Sequence, residues 1–158
     1  MIKIKKLLPE NFCDCYDLIS ENSNDLMYFK NLGWQLSQFK TQLLKENNFS
    51  LAIFNNNLMI SFVVGDIISI EKIVEYEILV IYVNIKYREL GYASKLLNEI
   101  PIALKQNHLK KIYLEASSNN LSAIKLYKNN NFIHVGIRKN YYHFLDKEFD
   151  ALLFEKNL

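Results

Sequence analysis

Cysteine, glycine, proline and tryptophan are all scarce in this 158-residue chain, at two, four, two and one residues. Two cysteines, Cys13 and Cys15, cannot build a disulfide framework, and no histidine or second cysteine pair stands near them at zinc-ligand spacing. They read as structural. The glycines never form GxxxxGK[ST], which excludes a P-loop, nor the three-glycine dinucleotide fingerprint. No apolar run reaches the ~18 residues of a membrane-spanning helix. The amino terminus lacks the ~7–15-residue apolar stretch of a signal peptide, so a cytoplasmic location is expected. Charge of one sign is also missing. With 19 basic and 17 acidic residues and a net charge of +2, nothing argues for a nucleic-acid or membrane partner. His108, His134 and His143 are scattered without metal spacing or a nucleophile partner, and no metal is expected.

Half of the residues are hydrophobic, enough for a core in a single domain, 1–158. Residues 2–7 alternate apolar and basic and predict a first strand. Pro9 opens a helix that runs to about residue 20. Residues 21–33 read as irregular, with at most a short helical turn. Trp34, Phe39, Leu43 and Leu44 place a second helix over 34–46. Two apolar runs around Asn55, Asn56 and Asn57 predict a hairpin. Residues 73–84, β-branched and aromatic, predict a central strand. Leu90, Ala93, Leu97, Ile100 and Leu104 mark a third helix over 89–106, with Pro101 expected to kink it. Residues 110–117 form a strand, Asn119 or Asn120 caps a helix through about 129, and two closing strands follow. Strands occurring both in runs and between helices predict an α/β fold with a mixed sheet.

The joint between the central strand and the third helix reads Arg88-x-x-Gly91-x-Ala93. Amides at a helix start lack internal partners, the helix dipole adds positive potential, and small residues let a phosphate approach. Alone the pattern is weak, since Gly91 also serves as a turn residue and Ala93 as core. Of the basic residues only Arg88 and Arg138 are arginine, the planar fork that lysine does not replace. Twelve residues separate Glu115, at the end of the 110–117 strand, from Tyr127 on the helix after it.

Residues 76–154 resemble the GNAT superfamily of N-acetyltransferases, and within it the RimI-like enzymes, which acetylate the N-terminal amine of a ribosomal protein. The resemblance rests on "IYVNIKYRELGYASKLL" (81–97), on "YLEASSNNLSAIKLYKNNNF" (113–132), and on "IRKNYY" followed by "FDALLF" in the closing strands. The amino-terminal half matches only through Trp34 and the helix after it. Ala93 stands where many relatives carry glycine, Ile85 where many carry proline, and Pro101 is not expected from the family.

The resemblance implies a sheet of about seven strands flanked by about four helices, with a V-shaped slot for acetyl-CoA. Ile81, Tyr82 and Val83 would line the acyl arm. Arg88, Glu89, Leu90, Gly91, Tyr92, Ala93 and Ser94 would hold the pyrophosphate, and Asn120 would contact the cofactor arm. Glu115 would be general base and Tyr127 general acid. Trp34, Arg138, Asn140, Tyr141 and Tyr142 would face the acceptor, a protein or peptide N-terminus, with a ribosomal protein among the candidates. Nothing demands more than a monomer or weak dimer. Three alternatives stay open. One is an acetyltransferase for a small amine, for which Glu75 and Glu77 are candidate lining. The others are a non-catalytic CoA sensor and a structural domain without cofactor.

Overall fold

The computed structural model describes residues 1–158. One seven-stranded sheet holds β1 (Ile2–Lys6), β2 (Asn48–Asn55), β3 (Leu58–Ile70), β4 (Ile73–Val83), β5 (Leu109–Ser117), β6 (Ile133–Phe144) and β7 (Lys147–Asn157). Five helices accompany it: α1 (Phe12–Ser20), α2 (Ser23–Asn31), α3 (Leu36–Leu43), α4 (Tyr92–Ala103) and α5 (Leu121–Asn129). The strand order is β1-β2-β3-β4-β5-β7-β6. Only β4 and β5 pair in parallel, and α4 provides the crossover that a parallel pair requires.

Local chemistry explains the joints. Asn56 and Asn57 both take left-handed conformations between β2 and β3, the geometry of a tight hairpin turn. Leu145 and Asp146 do the same between β6 and β7. The sheet buries both faces. Leu96, Leu97 and Ile100 of α4 and Tyr127 of α5 share one core with Tyr76 and Ile78 of β4. Cys15, Leu18 and Ile19 of α1 and Phe39 and Leu43 of α3 share the other with Val80 and Tyr82. Each fully buried large apolar side chain contributes about 1.5–3 kcal/mol.

β4 therefore changes face between Ile78 and Val80. In the β3–β4 register, Gly65 opposes Ile78 and Val64 opposes Val80, so Leu79 is an extra residue, a β-bulge. Gly65 is required here. A Cβ at that position would stand 2.5 Å from the Tyr76 ring and hydroxyl, displacing the hydroxyl that donates to the Phe49 carbonyl at 2.6 Å.

The structure differs from the sequence reading at five places. Residues 23–31 form α2, capped by the Asn22 side chain, which accepts from the Asp25 amide at 3.0 Å. α2 buries no residue fully, and its core contacts, Leu26 and Phe29, are too few to repeat as an apolar stripe. α3 begins at Leu36 rather than Trp34, and α4 begins at Tyr92. Pro101 falls in the last turn of α4, which ends at Ala103. β6 and β7 are longer than expected, reaching the turn at Leu145.

Candidate active site

The slot is a property of strand pairing. β4 and β5 pair from Val74 with Leu109 to Ile78 with Leu114, and then stop. Beyond that point Glu115, Ala116 and Ser117 pair only with β7. Val80 to Val83 pair only with β3. The Leu79 bulge bends β4 at the place of parting. The inner edge of Ile81, Tyr82 and Val83 thus offers backbone groups that no strand takes up, a template for an extended acyl arm.

At the end of β4 the chain makes a 3₁₀ turn over Ile85–Tyr87 and enters α4. Glu89 (φ +62°) and Gly91 (φ +82°) are both left-handed. From Glu89 to Ser94 no backbone N–H reaches a backbone carbonyl, and the next to do so is Lys95, on Gly91. No side chain caps the helix start. A Cβ at Gly91 would meet nothing within 4 Å. Six free donors around open space, at the positive end of a helix, fit a pyrophosphate. Ser94 accepts from the Asn130 side-chain amide at 2.9 Å, which ties the start of α4 to the end of α5. The Arg88 guanidinium is directed elsewhere. It lies 2.6 Å from the Asp25 carboxylate on α2, donates to the Val83 carbonyl at 3.0 Å and stacks over the Tyr82 ring.

Glu115 is the first β5 residue past the last pair. Its carboxylate sits 3.1 Å from the Arg138 guanidinium, and that guanidinium also lies over the Tyr141 ring. Glu77 faces Glu115 from β4 and opposes Asp66 on β3. Burial pushes its carboxyl above the ordinary range, Glu115 and Asp66 add to the rise, and Lys45 and Arg138 oppose it. Tyr113, the β5 neighbour of Glu77, is pushed up to about 12 by burial and by Glu77, Glu75 and Asp66.

Tyr127 comes from α5, on the opposite face of the sheet from Glu77. Phe132 and Phe154 pack against its ring. Burial, with Tyr28 and Tyr142 nearby, pushes its phenol well above the ordinary value, so it stays protonated at neutral pH. The residue is only 5% exposed, yet no fully buried side-chain oxygen or nitrogen lacks a partner. Its hydroxyl, which has no partner among the side-chain hydrogen bonds, therefore keeps a slight exposure. Asn120 caps α5 by accepting from the Ala123 amide at 3.2 Å. It also stands beside Tyr28, whose phenol burial raises and Asn120 lowers.

The wall beyond Glu115 comes from β6. Lys139, Asn140 and Tyr141 bulge opposite the single residue Asp150. Asp150 holds the bulge by accepting from the Asn140 amide and the Lys139 ammonium, each at 3.0 Å. The bulge re-aims Tyr142 toward Glu115 and Tyr28, near which burial raises its phenol, and leaves Tyr141 about half exposed. Trp34 lies apart from this wall, packed on Phe39. The structure thus brings Glu115, Tyr127, Arg138, Asn120 and Tyr142 together at the open end of the slot.

Sequence reasoning missed Tyr28 and Asp25, and it took Glu77 only as lining. The Asn22-x-x-Asp25 spacing is a capping signal that would have placed α2, and with it both residues. No group of three or more potential metal ligands occurs.

The solved ribosomal-protein-S18-alanine N-acetyltransferase of Escherichia coli superposes with a TM-score of 0.83 at 22% identity, covering 99% of this chain and 94% of that one. Arabidopsis thaliana NAA60 in complex with a bisubstrate analogue gives 0.82 at 20%, covering 99% and 98%. PaiA N-acetyltransferase of Thermoplasma acidophilum, in complex with coenzyme A, gives 0.78 at 16%, covering 100% and 99%. No curated protein matches by sequence. The sequence profile of the acetyltransferase (GNAT) family matches residues 10–132. The chain, with its splayed slot and amide cradle, belongs to the GNAT family and is an acetyl-CoA-dependent N-acetyltransferase.

Proposed function

We propose that the acceptor is the N-terminal α-amine of a protein, as in the RimI-like enzymes, with a ribosomal protein as the leading candidate. The observation that carries this reading is the convergence of Glu115, Tyr127, Tyr142 and Arg138 where β4 and β5 part. The enzyme of Escherichia coli that is similar in fold is named as an N-acetyltransferase of an alanine of ribosomal protein S18, and this supports the reading.

Acetyl-CoA supplies the activated acetyl thioester. The cradle amides of Glu89 to Ser94 hold its pyrophosphate, and the free edge of Ile81 to Val83 aligns its arm. An α-ammonium has a pKa of about 8 and must lose a proton before it attacks. Glu115 accepts that proton, directly or through water. Glu77, raised by burial and free of an ion pair, is the second carboxylate able to take it on. Tyr127, held protonated, donates to the departing sulfur. Each transfer is worth ~10²–10⁴-fold, and holding both substrates in one slot supplies much of the rest.

A small polyamine is the second reading, favoured by Asp66, Glu75 and Glu77 raising one another's neighbour Tyr113 on one sheet face. Acetyl-CoA turnover separates the two. Peptides with free N-termini compete against the same peptides blocked at the N-terminus but carrying a free lysine, and against spermidine. An acetyl group on the free α-amine supports the leading reading. An acetyl group only on spermidine or lysine overturns it.

A further inference from the structure

A cavity of about 260 Å³ lies between α3, the turn at 32–34 and the bulge of β4, lined by Leu32, Trp34, Gln38, Thr41, Lys45 and Leu79 among others. Its position is informative. Leu79 directly follows Ile78, the last β4 residue paired to β5, just as Glu115 directly follows Leu114. Through Leu79 the cavity reaches the β4 side of this parting, on the α3 face of the sheet. Small-molecule sites run to roughly 300–1,000 Å³, so this space suits one side chain rather than a whole ligand.

Its chemistry is narrower than its polar lining suggests. The one charged group in the wall is Lys45, whose ammonium is 3.0 Å from Asp66. Asp66 also accepts from the Gln42 amide at 2.5 Å, so the two charges are already matched. An acidic side chain would have to displace Asp66 and would face Glu77 and Glu115. A basic one would meet Lys45. A charge buried without a partner is expensive. Thr41 and Gln38 remain free of side-chain partners, and Leu32, Trp34 and Leu79 supply apolar contact.

We propose that this cavity receives an uncharged side chain of medium size flanking the acceptor amine, which makes Thr41, Gln38 and Leu79 determinants of acceptor choice. The proposal rests on the N-terminal reading above and specifies its substrate class.

Trp34 is the single tryptophan of the chain, so its emission reports occupancy without turnover. CoA-saturated protein is titrated with tetrapeptides of free N-terminus, the first and then the second residue being Ala, Met, Gln, Glu or Lys. At one of the two positions, Met and Gln should shift Trp34 emission with an apparent Kd about tenfold below that of Ala, while Glu and Lys bind no better than Ala. Thr41→Phe and Gln38→Phe, which fill the cavity from the surface of α3, should each abolish that advantage and leave the Ala peptide unchanged. Equal affinity across the panel, or a preference untouched by both variants, overturns the proposal. Failure of the N-terminal reading looks different. N-terminally blocked peptides would then shift Trp34 as well as free ones, and mass spectrometry would find no α-acetylation.

Discussion

Ile78 on β4 and Leu114 on β5 are the last residues across which the two parallel strands pair. The next residue on one side is Leu79, bulged out of the β3 register. The next on the other is Glu115, paired to Arg138. One interrupted pairing thus opens the slot and sets a carboxylate at its apex.

Tyr127 is placed to donate a proton, and its ring is packed independently of its hydroxyl. Tyr127→Phe keeps the contacts with Phe132 and Phe154. Its kcat should fall about 10²-fold, with CoA affinity by calorimetry unchanged. An unaltered kcat would remove Tyr127 from the chemistry.

Glu77 carries a sign that can be checked twice. Its folded pKa is raised above an unfolded value of about 4.3. The folded state therefore binds more protons over that interval, and stability falls as pH rises through it. Glu77→Gln should melt higher than the parent at pH 7, with the gain vanishing below about pH 4. If Glu77 shares the proton, the acid limb of kcat/KM should also move in this variant. A limb that moves only in Glu115→Gln assigns the base to Glu115 alone.

Arg88 and Asp25 join the loop before the cradle to α2, whose core contacts, Leu26 and Phe29, are only partly buried. Lysine cannot keep the Asp25 contact, the Val83 carbonyl bond and the Tyr82 stacking together. Arg88→Lys should raise the acceptor KM several-fold, about 1 kcal/mol, while CoA binds as before. A matching loss of CoA affinity would instead put the guanidinium on the phosphates.

Gly91 combines a left-handed backbone with open space where a phosphate fits. Gly91→Ala should cost about 1–2 kcal/mol in conformation and place a methyl in the cradle. CoA affinity should drop, whereas binding of a pantetheine thioester without the pyrophosphate should not. An equal drop for both would locate the damage in the fold rather than the cradle.

The helices that pack on the sheet were legible because their apolar stripes repeat at helical spacing. Leu96, Leu97 and Ile100 are buried on α4, as are Phe39 and Leu43 on α3. α2 was not, because only Leu26 and Phe29 pack on the core, too few to repeat at helical spacing. Glu115, Tyr127 and the Arg88–Ser94 segment stood out because the segments that carry them resemble those of the GNAT family; their spacing alone is weak. Tyr28 and Glu77 have no such spacing, since each reaches the site across sequence-distant elements.

The sequence alone determined what is local: the strands and core-facing helices, the left-handed glycine at the cradle, and the family whose motifs surround it. Tertiary structure decided where those parts meet. Only the β3 register reveals the bulge at Leu79. Only the packing of α2 against the end of β4 directs Arg88 to Asp25, and only the β6 bulge held by Asp150 turns Tyr142 inward. These depend on pairings between residues far apart in the chain, which hydrophobic periodicity and turn chemistry do not encode.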